Sequence, residues 1–331
     1  MEKPFHSSVS TTVTGVVETP ATLPLPLGAS ERRVNWRYVS AVGTYHLLAL
    51  LAFVPWFYST SGAVLAFIGV YVYGACGMNL CYHRLLTHRS FKCPLWLEHV
   101  CVYLGVLVGM AGPIGMTRIH DLRDWAQRQP DCHWFLRHGK PPLVDGFYYL
   151  NFRLKLRDPP GFNPGPGIAD DRFYVFLQRS WMLHQLPIAA VLYLLGGWSF
   201  VVWGVFVRVA ACTVMHWFIS YFAHTSGPQD WVVDDAVIQA HNVPLMAIPT
   251  MGESWHSNHH AFPSSARHGL YPGQIDLGWR FVQMLEWLGL AWDVKLPANL
   301  PPRPGISPVT ARALDVAAPE QALLSAADGR T

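Results

Sequence analysis

The chain has 331 residues, of which 51% are hydrophobic and only 14% are Asp, Glu, Lys or Arg. An ordinary soluble domain carries about a quarter charged residues, so this composition favours a membrane protein. The formal net charge is +3 and no long Lys/Arg run occurs. This excludes the basic face typical of nucleic-acid-binding proteins and predicts no nucleic-acid partner.

Polar, Pro-containing segments at the two ends of the chain are predicted to be disordered cytosolic tails. Residues 1–30 contain Glu2 and Glu18, where a signal peptide would need an unbroken apolar core. Residues 299–331 alternate Pro and Ala with scattered charges and lack a sustained apolar period. Residues 31–298 therefore form the predicted membrane domain.

Four apolar stretches lie in two close pairs and are predicted to cross the membrane, because about 20 apolar residues span a bilayer as a helix. They cover roughly residues 38–58, 63–80, 181–195 and 200–222. Short uncharged turns at residues 59–62 and 196–199 join the members of each pair. The sequence thus predicts an all-α integral membrane protein with four transmembrane helices in two hairpins.

Basic residues beside these stretches predict the orientation in the membrane. They are Arg32, Arg33, Arg37, Arg84, Arg89, Lys92, Arg172 and Arg179. By the positive-inside rule, both tails and the polar middle face the cytoplasm. A further apolar run at residues 95–114 is interpreted as an amphipathic interfacial helix, because a fifth span would put the histidine motifs on opposite sides. Arg208 lies inside the fourth stretch, and the other three offer it no carboxylate partner.

Sixteen histidines are unusual for this length, and imidazole is the commonest metal ligand in proteins. The first motif, His83-Arg-Leu-Leu-Thr-His88, follows the second apolar stretch. On an α-helix a separation of five residues is about 140°, which favours binding of the two rings to different metal ions.

The last motif, His256-Ser-Asn-His259-His260, has spacings of three and four residues. These spacings place rings on one helical face, which suits a pair of metal ions. Two further histidines lie apart from both motifs: His120 in the polar middle and His224 at the end of the fourth stretch.

Two longer segments resemble the first and third histidine boxes of the membrane acyl-CoA and acyl-lipid desaturases. They are His83-Arg-x-x-Thr-His88-Arg-Ser-Phe91 and Gly252-Glu-Ser-Trp-His256-x-x-His259-His260-Ala-Phe-Pro263. The likeness covers about residues 35–295. It implies four membrane helices with a cytosolic helical cap that carries a histidine-rich dimetal site. It also implies two iron ions as cofactor and O2 as co-substrate.

The resemblance assigns ligands unevenly to the two iron ions. It places five histidines on one ion: His88, His120, His224, His259 and His260. The other ion would be held by His83 and His256. The middle box has Thr117 and Asp121 in place of two expected histidines, so Asp121 is a predicted oxygen ligand.

Other polar residues are predicted to ligate a metal or to contact its ligands. Asp124 is either a ligand or a hydrogen-bond acceptor for a ligand imidazole. Ser220 occupies the position of an Asn that holds a water in the family. His216 and His133 are further candidates for contacts with the ligands.

The predicted function is O2-dependent desaturation of a long acyl chain carried by CoA, an acyl carrier or a lipid. Hydroxylation, acetylenic bond formation and alkene-forming decarboxylation of a fatty acid are open alternatives. A non-catalytic metal-binding membrane protein is an alternative of another class. The sequence has no cysteine framework for an iron–sulfur cluster and no glycine-rich flavin motif. A separate electron donor is therefore expected, such as ferredoxin or a b-type cytochrome with its reductase.

Overall fold

The computed structural model describes residues 29–127, 138–156, 161–162, 164, 167–234, 236 and 238–309. This part of the chain is mostly helical, as predicted. Two short antiparallel sheets accompany the helices and were not predicted. Strand β1 (Ala29–Val34) pairs with β2 (Phe152–Leu156), and β3 (Trp231–Val233) pairs with β4 (Ile306–Pro308).

Strand β4 lies in the C-terminal segment that the sequence analysis assigned to a disordered tail. A 3-10 turn at Pro297–Asn299 precedes it, and Arg303 donates two hydrogen bonds to Asp124. The folded domain therefore extends to at least residue 309. Residues 1–28 and 310–331 lie outside the described residues.

The first apolar pair forms two connected helical segments. Helix α1 is Trp36–Ala49, the 3-10 turns are Leu50–Phe53 and Pro55–Phe57, and helix α2 is Thr60–Gly69. The Ser59 hydroxyl accepts a hydrogen bond from the Gly62 amide at 3.0 Å and caps the start of α2. Helix α2 continues without a break as a π-helix over Val70–Thr87.

The polar middle of the chain contains helices α3 (Leu95–Val106), α4 (Pro113–Gln127) and α5 (Pro142–Asn151). Helix α3 packs closely along the π-helix. A Cβ at Gly77 would lie 2.7 Å from the carbonyl oxygen of Leu104, and one at Gly105 would lie 2.4 Å from the Tyr82 ring. These contacts assign Gly77 and Gly105 to the close packing of α3 against the π-helix.

Replacement of Gly77 by Leu should therefore push α3 away from the π-helix. Forcing extra methylenes into a packed contact costs about 1–3 kcal/mol. We expect Gly77→Leu to lower the melting temperature of the detergent-solubilised protein. Gly43→Leu is the matched control, since a Cβ at Gly43 in α1 meets nothing within 4 Å. Equal melting temperatures for the two variants would contradict this packing assignment.

Helix α6 (Arg172–Ser180) precedes the second apolar pair. The pair itself contains helices α7 (Gln185–Val201) and α8 (Arg208–Ala223), with a π-helical turn at Val202–Val207. Helix α7 is broken at Gly196 and Gly197, and Gly197 has φ +65, a conformation that glycine adopts at no steric cost. A Cβ at Gly204 would lie 2.5 Å from Leu192, whereas a continuous helix would separate these residues by about 18 Å. The chain therefore folds back on itself at the two glycines.

Two stretches of the described chain, Thr60–Thr87 and Arg172–Ala223, are long and apolar enough to cross a membrane. The buried Arg208 lies within the second of them. Its guanidinium donates to the carbonyl oxygens of Gly204 and Leu107 and to the side-chain oxygen of Gln185. It also lies 4.6 Å from the centre of the Tyr73 ring. Carbonyl and ring partners thus stabilise the charge for which the sequence offered no carboxylate.

The remaining helices, α9 (His256–Ala261) and α10 (Leu277–Trp287), belong to the C-terminal part of the fold. Helix α10 packs against the π-helix through a shared cluster that contains Leu85, Trp279 and Val282. The Asp276 side chain accepts from the Trp279 amide and caps α10. This packing holds the histidine-bearing end of the π-helix against the segment that leads into α9.

Candidate metal centre

Seven histidines converge where the ends of the long helices meet α4 and α9. His83, His88, His120 and His259 form a four-histidine cluster, and His224, His256 and His260 form a three-histidine cluster. Within each cluster the ligand nitrogens all lie within 4.8 Å of one another. The structure thus brings together the five histidines of the two sequence motifs and the two predicted histidines outside them, His120 and His224.

The four-histidine cluster combines two rings that α-helical geometry would have separated. In the π-helix the His88 amide donates to the His83 carbonyl, five residues earlier. Because of this wider turn, the ring centres of His83 and His88 are 4.6 Å apart. The prediction that these two rings bind different metal ions assumed an α-helix. The observed π-helical geometry places them in the same cluster instead.

The grouping also differs from the five-and-two division that the resemblance implied. His83 lies with His88, His120 and His259, while His256 lies with His224 and His260. The adjacent residues His259 and His260 fall in different clusters, because successive side chains on an α-helix such as α9 point about 100° apart.

Short contacts between ring nitrogens define each cluster. The Nε2 atom of His83 lies 2.9 Å from Nε2 of His120 and 3.1 Å from Nε2 of His88. An imidazole–metal bond of about 2.0–2.1 Å places neighbouring ligand nitrogens about 3 Å apart. The donor set and its spacing therefore fit a metal ion.

The three-histidine cluster has the same kind of contacts. His256 lies at its centre, with its Nε2 atom 3.1 Å from Nε2 of His224 and 3.1 Å from Nε2 of His260. Burial lowers the pKa of each of these three imidazoles well below the ordinary histidine value. The rings are consequently neutral at physiological pH, which is the form that binds metal.

Oxygen acceptors hold the opposite ring nitrogens of several of these histidines. Nδ1 of His224 donates to the Ser220 carbonyl at 2.7 Å, and Nδ1 of His83 lies 2.5 Å from Oε1 of Glu253. Such contacts fix the tautomer and direct Nε2 into the cluster. Burial alone would raise the pKa of the Glu253 carboxyl, but His83, His268 and Arg84 hold it well below its usual range.

The two predicted carboxylate ligands lie beside the clusters. Among the described residues, neither carboxylate belongs to one of the two histidine clusters. Asp121 Oδ1 is 3.5 Å from Nδ1 of His120. Asp124 Oδ1 is 4.0 Å from Nδ1 of His260, and both of its oxygens accept from Arg303, at 3.0 and 2.6 Å.

Of the other residues predicted near the metal centre, some contact its ligands and others do not. Ser220 contacts His224 through its backbone carbonyl. His216 lies half-buried on α8 and belongs to neither histidine cluster. The Thr117 hydroxyl donates to the Pro113 carbonyl at 3.1 Å. His133 lies outside the described residues.

A buried hydrogen-bond network beside His224 was missed by the sequence reasoning. His138 bridges Asp145 and Ser220, with distances of 2.9 Å from Nδ1 to Asp145 Oδ1 and 2.8 Å from Nε2 to the Ser220 hydroxyl. Its ring stacks on His224 with centres 5.6 Å apart. The Trp217 indole also donates to Asp145 at 2.8 Å. An isolated histidine in a polar loop carries no sequence signal for such a contact.

A mostly helical chain with two stretches apolar enough to cross a membrane and two clusters of histidines that could hold metal ions has the features of a histidine-rich membrane metalloprotein. No family model matches the chain. Individual relatives do match over most of its length. The sn-1 stearoyl-lipid 9-desaturase of Synechocystis sp. is 35% identical over 269 residues, which cover 79% of this chain and 80% of that protein.

Two further relatives show the same level of similarity. Delta-9 acyl-lipid desaturase 1 of Arabidopsis thaliana is 37% identical over 279 residues, covering 80% of this chain and 86% of that protein. An acyl-CoA 5-desaturase of Anemone leveillei is 34% identical over 291 residues, covering 83% and 87%. The chain belongs to the membrane fatty acid desaturase family and is an oxidoreductase.

Proposed function

We propose that the chain is an O2-dependent fatty acyl desaturase that uses two iron ions. The four-histidine and three-histidine clusters would each hold one ion. The observation that carries this proposal is the convergence of seven imidazoles into two adjacent groups, with ring nitrogens about 3 Å apart. Imidazole ligands suit iron, and the membership of the desaturase family favours iron over redox-inactive zinc.

Bound iron would supply the redox chemistry that reduces dioxygen and removes two hydrogen atoms from the acyl chain. The overall balance consumes one O2, two electrons and two protons and yields a C=C bond and two waters. The electrons would come from a separate donor, ferredoxin or a b-type cytochrome with its reductase. Burial keeps the imidazoles of the three-histidine cluster neutral. Glu253 and the Ser220 carbonyl orient the rings of His83 and His224.

The substrate proposed is a long acyl chain attached to a lipid or to CoA, because both kinds of carrier appear in the names of the relatives. Lipid mass spectrometry of cells that express the chain with an electron donor tests this activity. Desaturation predicts acyl chains lighter by two mass units. An added oxygen would indicate hydroxylation, a terminal alkene would indicate decarboxylation, and an unchanged profile would favour a non-catalytic metal-binding protein.

The proposed topology has four membrane helices in two hairpins, with both termini and the metal centre on the cytoplasmic side. The glycine break in α7 and the uncharged turns support this arrangement. We expect Ser61→Cys and Trp198→Cys, made in a background without native cysteines, to be labelled by an impermeant thiol reagent from outside intact cells. Labelling only after the cells are opened would contradict the topology.

We assign Asp121 to positioning His120 instead of direct ligation, because its carboxylate faces Nδ1 of that ring. Loss of such a contact lowers metal affinity about 10–100-fold, and we expect this for Asp121→Ala. Asp121→Asn keeps an acceptor oxygen and should restore most of the affinity. If Asp121 is a ligand, Asp121→His should retain the metal better than Asp121→Asn. Metal titration of the apoprotein distinguishes these outcomes.

A further inference from the structure

A third group of potential ligands borders the four-histidine cluster. Glu253, His259 and His268 each place a ligand atom within 4.8 Å of the other two. The His268 side chain has 0% exposure and that of Glu253 has 10%. Glu253 and His259 lie in the last histidine box, but His268 lies beyond it, so the sequence motifs did not predict this group.

Several polar atoms of this group are buried without a hydrogen-bond partner in the described part of the chain. They are Nδ1 of His259 and both ring nitrogens of His268. His268 Nδ1 is 3.2 Å from Glu253 Oε1, but the pair lacks hydrogen-bond geometry. Buried polar groups are nearly always satisfied, so an unsatisfied set that converges on one point calls for a missing partner.

The backbone holds His268 in place without using its ring nitrogens. The His268 amide donates to Asp276 Oδ2 at 2.7 Å, and the His268 carbonyl accepts from the Asn258 side chain at 2.9 Å. The ring is therefore positioned by contacts elsewhere while its nitrogens stay available. A preorganised ring with available nitrogens is what a metal ligand requires.

The local charge balance favours a cation at the same place. Arg84 is the guanidinium that faces both Glu253 and Asp276. Its Nη1 atom lies 3.0 Å from Oδ1 of Asp276, whereas its Nε atom lies farther, 3.4 Å, from Oε2 of Glu253. One positive charge thus serves two buried carboxylates, and buried charges require compensation.

We propose that Glu253, His259 and His268 form a third cation-binding position, separate from the two iron positions of the proposed function. The donor set of two imidazoles and one carboxylate suits a divalent first-row transition metal. His259, which also belongs to the four-histidine cluster, links this position to the proposed iron site. The competing explanation is that His268 only lies beside Glu253 and that no cation binds between them.

Counting of bound ions tests this proposal. Full-length protein, purified in detergent without a histidine tag and stripped with a chelator, is saturated with Co²⁺, desalted and analysed by mass spectrometry for metal. We expect about three ions per wild-type chain, one for each group of ligands. His268→Ala should bind one ion fewer, whereas the control His241→Ala, whose Nδ1 contacts the Gly227 carbonyl, should match the wild type.

His268→Gln, which keeps a polar side chain in the pocket, replaces the Ala variant if the latter does not fold. A wild-type count of two ions, or an unchanged count in folded His268 variants, would overturn the third position. His256→Ala should lower the count independently of His268. If His256→Ala binds one ion fewer than the wild type and folded His268→Ala binds the same number, the third position is refuted and the desaturase proposal stands.

Discussion

His256→Ala is expected to abolish fatty acyl desaturation and to release the metal ion of the three-histidine cluster. His256 is the central member, because its Nε2 atom lies 3.1 Å from those of both His224 and His260. Its loss leaves two imidazoles, too few to hold an ion tightly. Changes in residues that merely contact ligands cost about 10–100-fold in affinity or activity, so loss of a ligand should cost more than about 100-fold.

The measurement is the amount of unsaturated acyl product per mole of purified protein, together with its metal content. His184→Ala is the matched control, since this imidazole contacts the Ser180 hydroxyl at 2.9 Å and lies away from both clusters. The control should retain metal and activity. Full metal occupancy and product formation in the His256 variant would show that the three-histidine cluster is not a metal site.

Arg84→Ala is expected to cause the largest loss of stability. The Arg84 guanidinium is 1% exposed and contacts the carboxylates of Glu253 and Asp276 as well as the carbonyls of Ala266 and Met251. Its removal leaves two buried carboxylates without their counter-ion. Breaking a buried ion pair in this way costs about 3–5 kcal/mol.

Thermal denaturation in detergent, monitored by size-exclusion chromatography, measures this loss of stability. Arg89→Ala is a suitable control because Arg89 forms an ion pair with Glu98 at 2.7 Å but is 27% exposed. Ion pairs near the surface contribute only about 0–1 kcal/mol. Arg84→Lys should fall between the two, since lysine keeps the charge but cannot reproduce the several directed contacts of the guanidinium. Similar melting curves for Arg84→Ala and Arg89→Ala would contradict the proposed importance of this network.

The amino-acid sequence by itself determined the helical class and the seven clustered histidines. Long apolar stretches impose helices because the backbone polar groups must be satisfied internally in a membrane. The histidines of the last motif lie close in the chain, so local spacing was enough to place His256 and His260 on one face. The boundaries of the apolar stretches also located the turn at Gly196 and Gly197, where the structure shows a break.

Only the tertiary structure decided how the histidines group and what surrounds them. His83 and His88 share one cluster because the end of this helix is π-helical. No residue pattern in this segment predicts a π-helix. The partners of Arg84, Arg208 and Asp124 come from segments far away in the chain, including backbone carbonyls, which carry no sequence signal. Contacts of this kind follow from the packing of distant elements, and so the network around Glu253 and His268 became visible only in the folded chain.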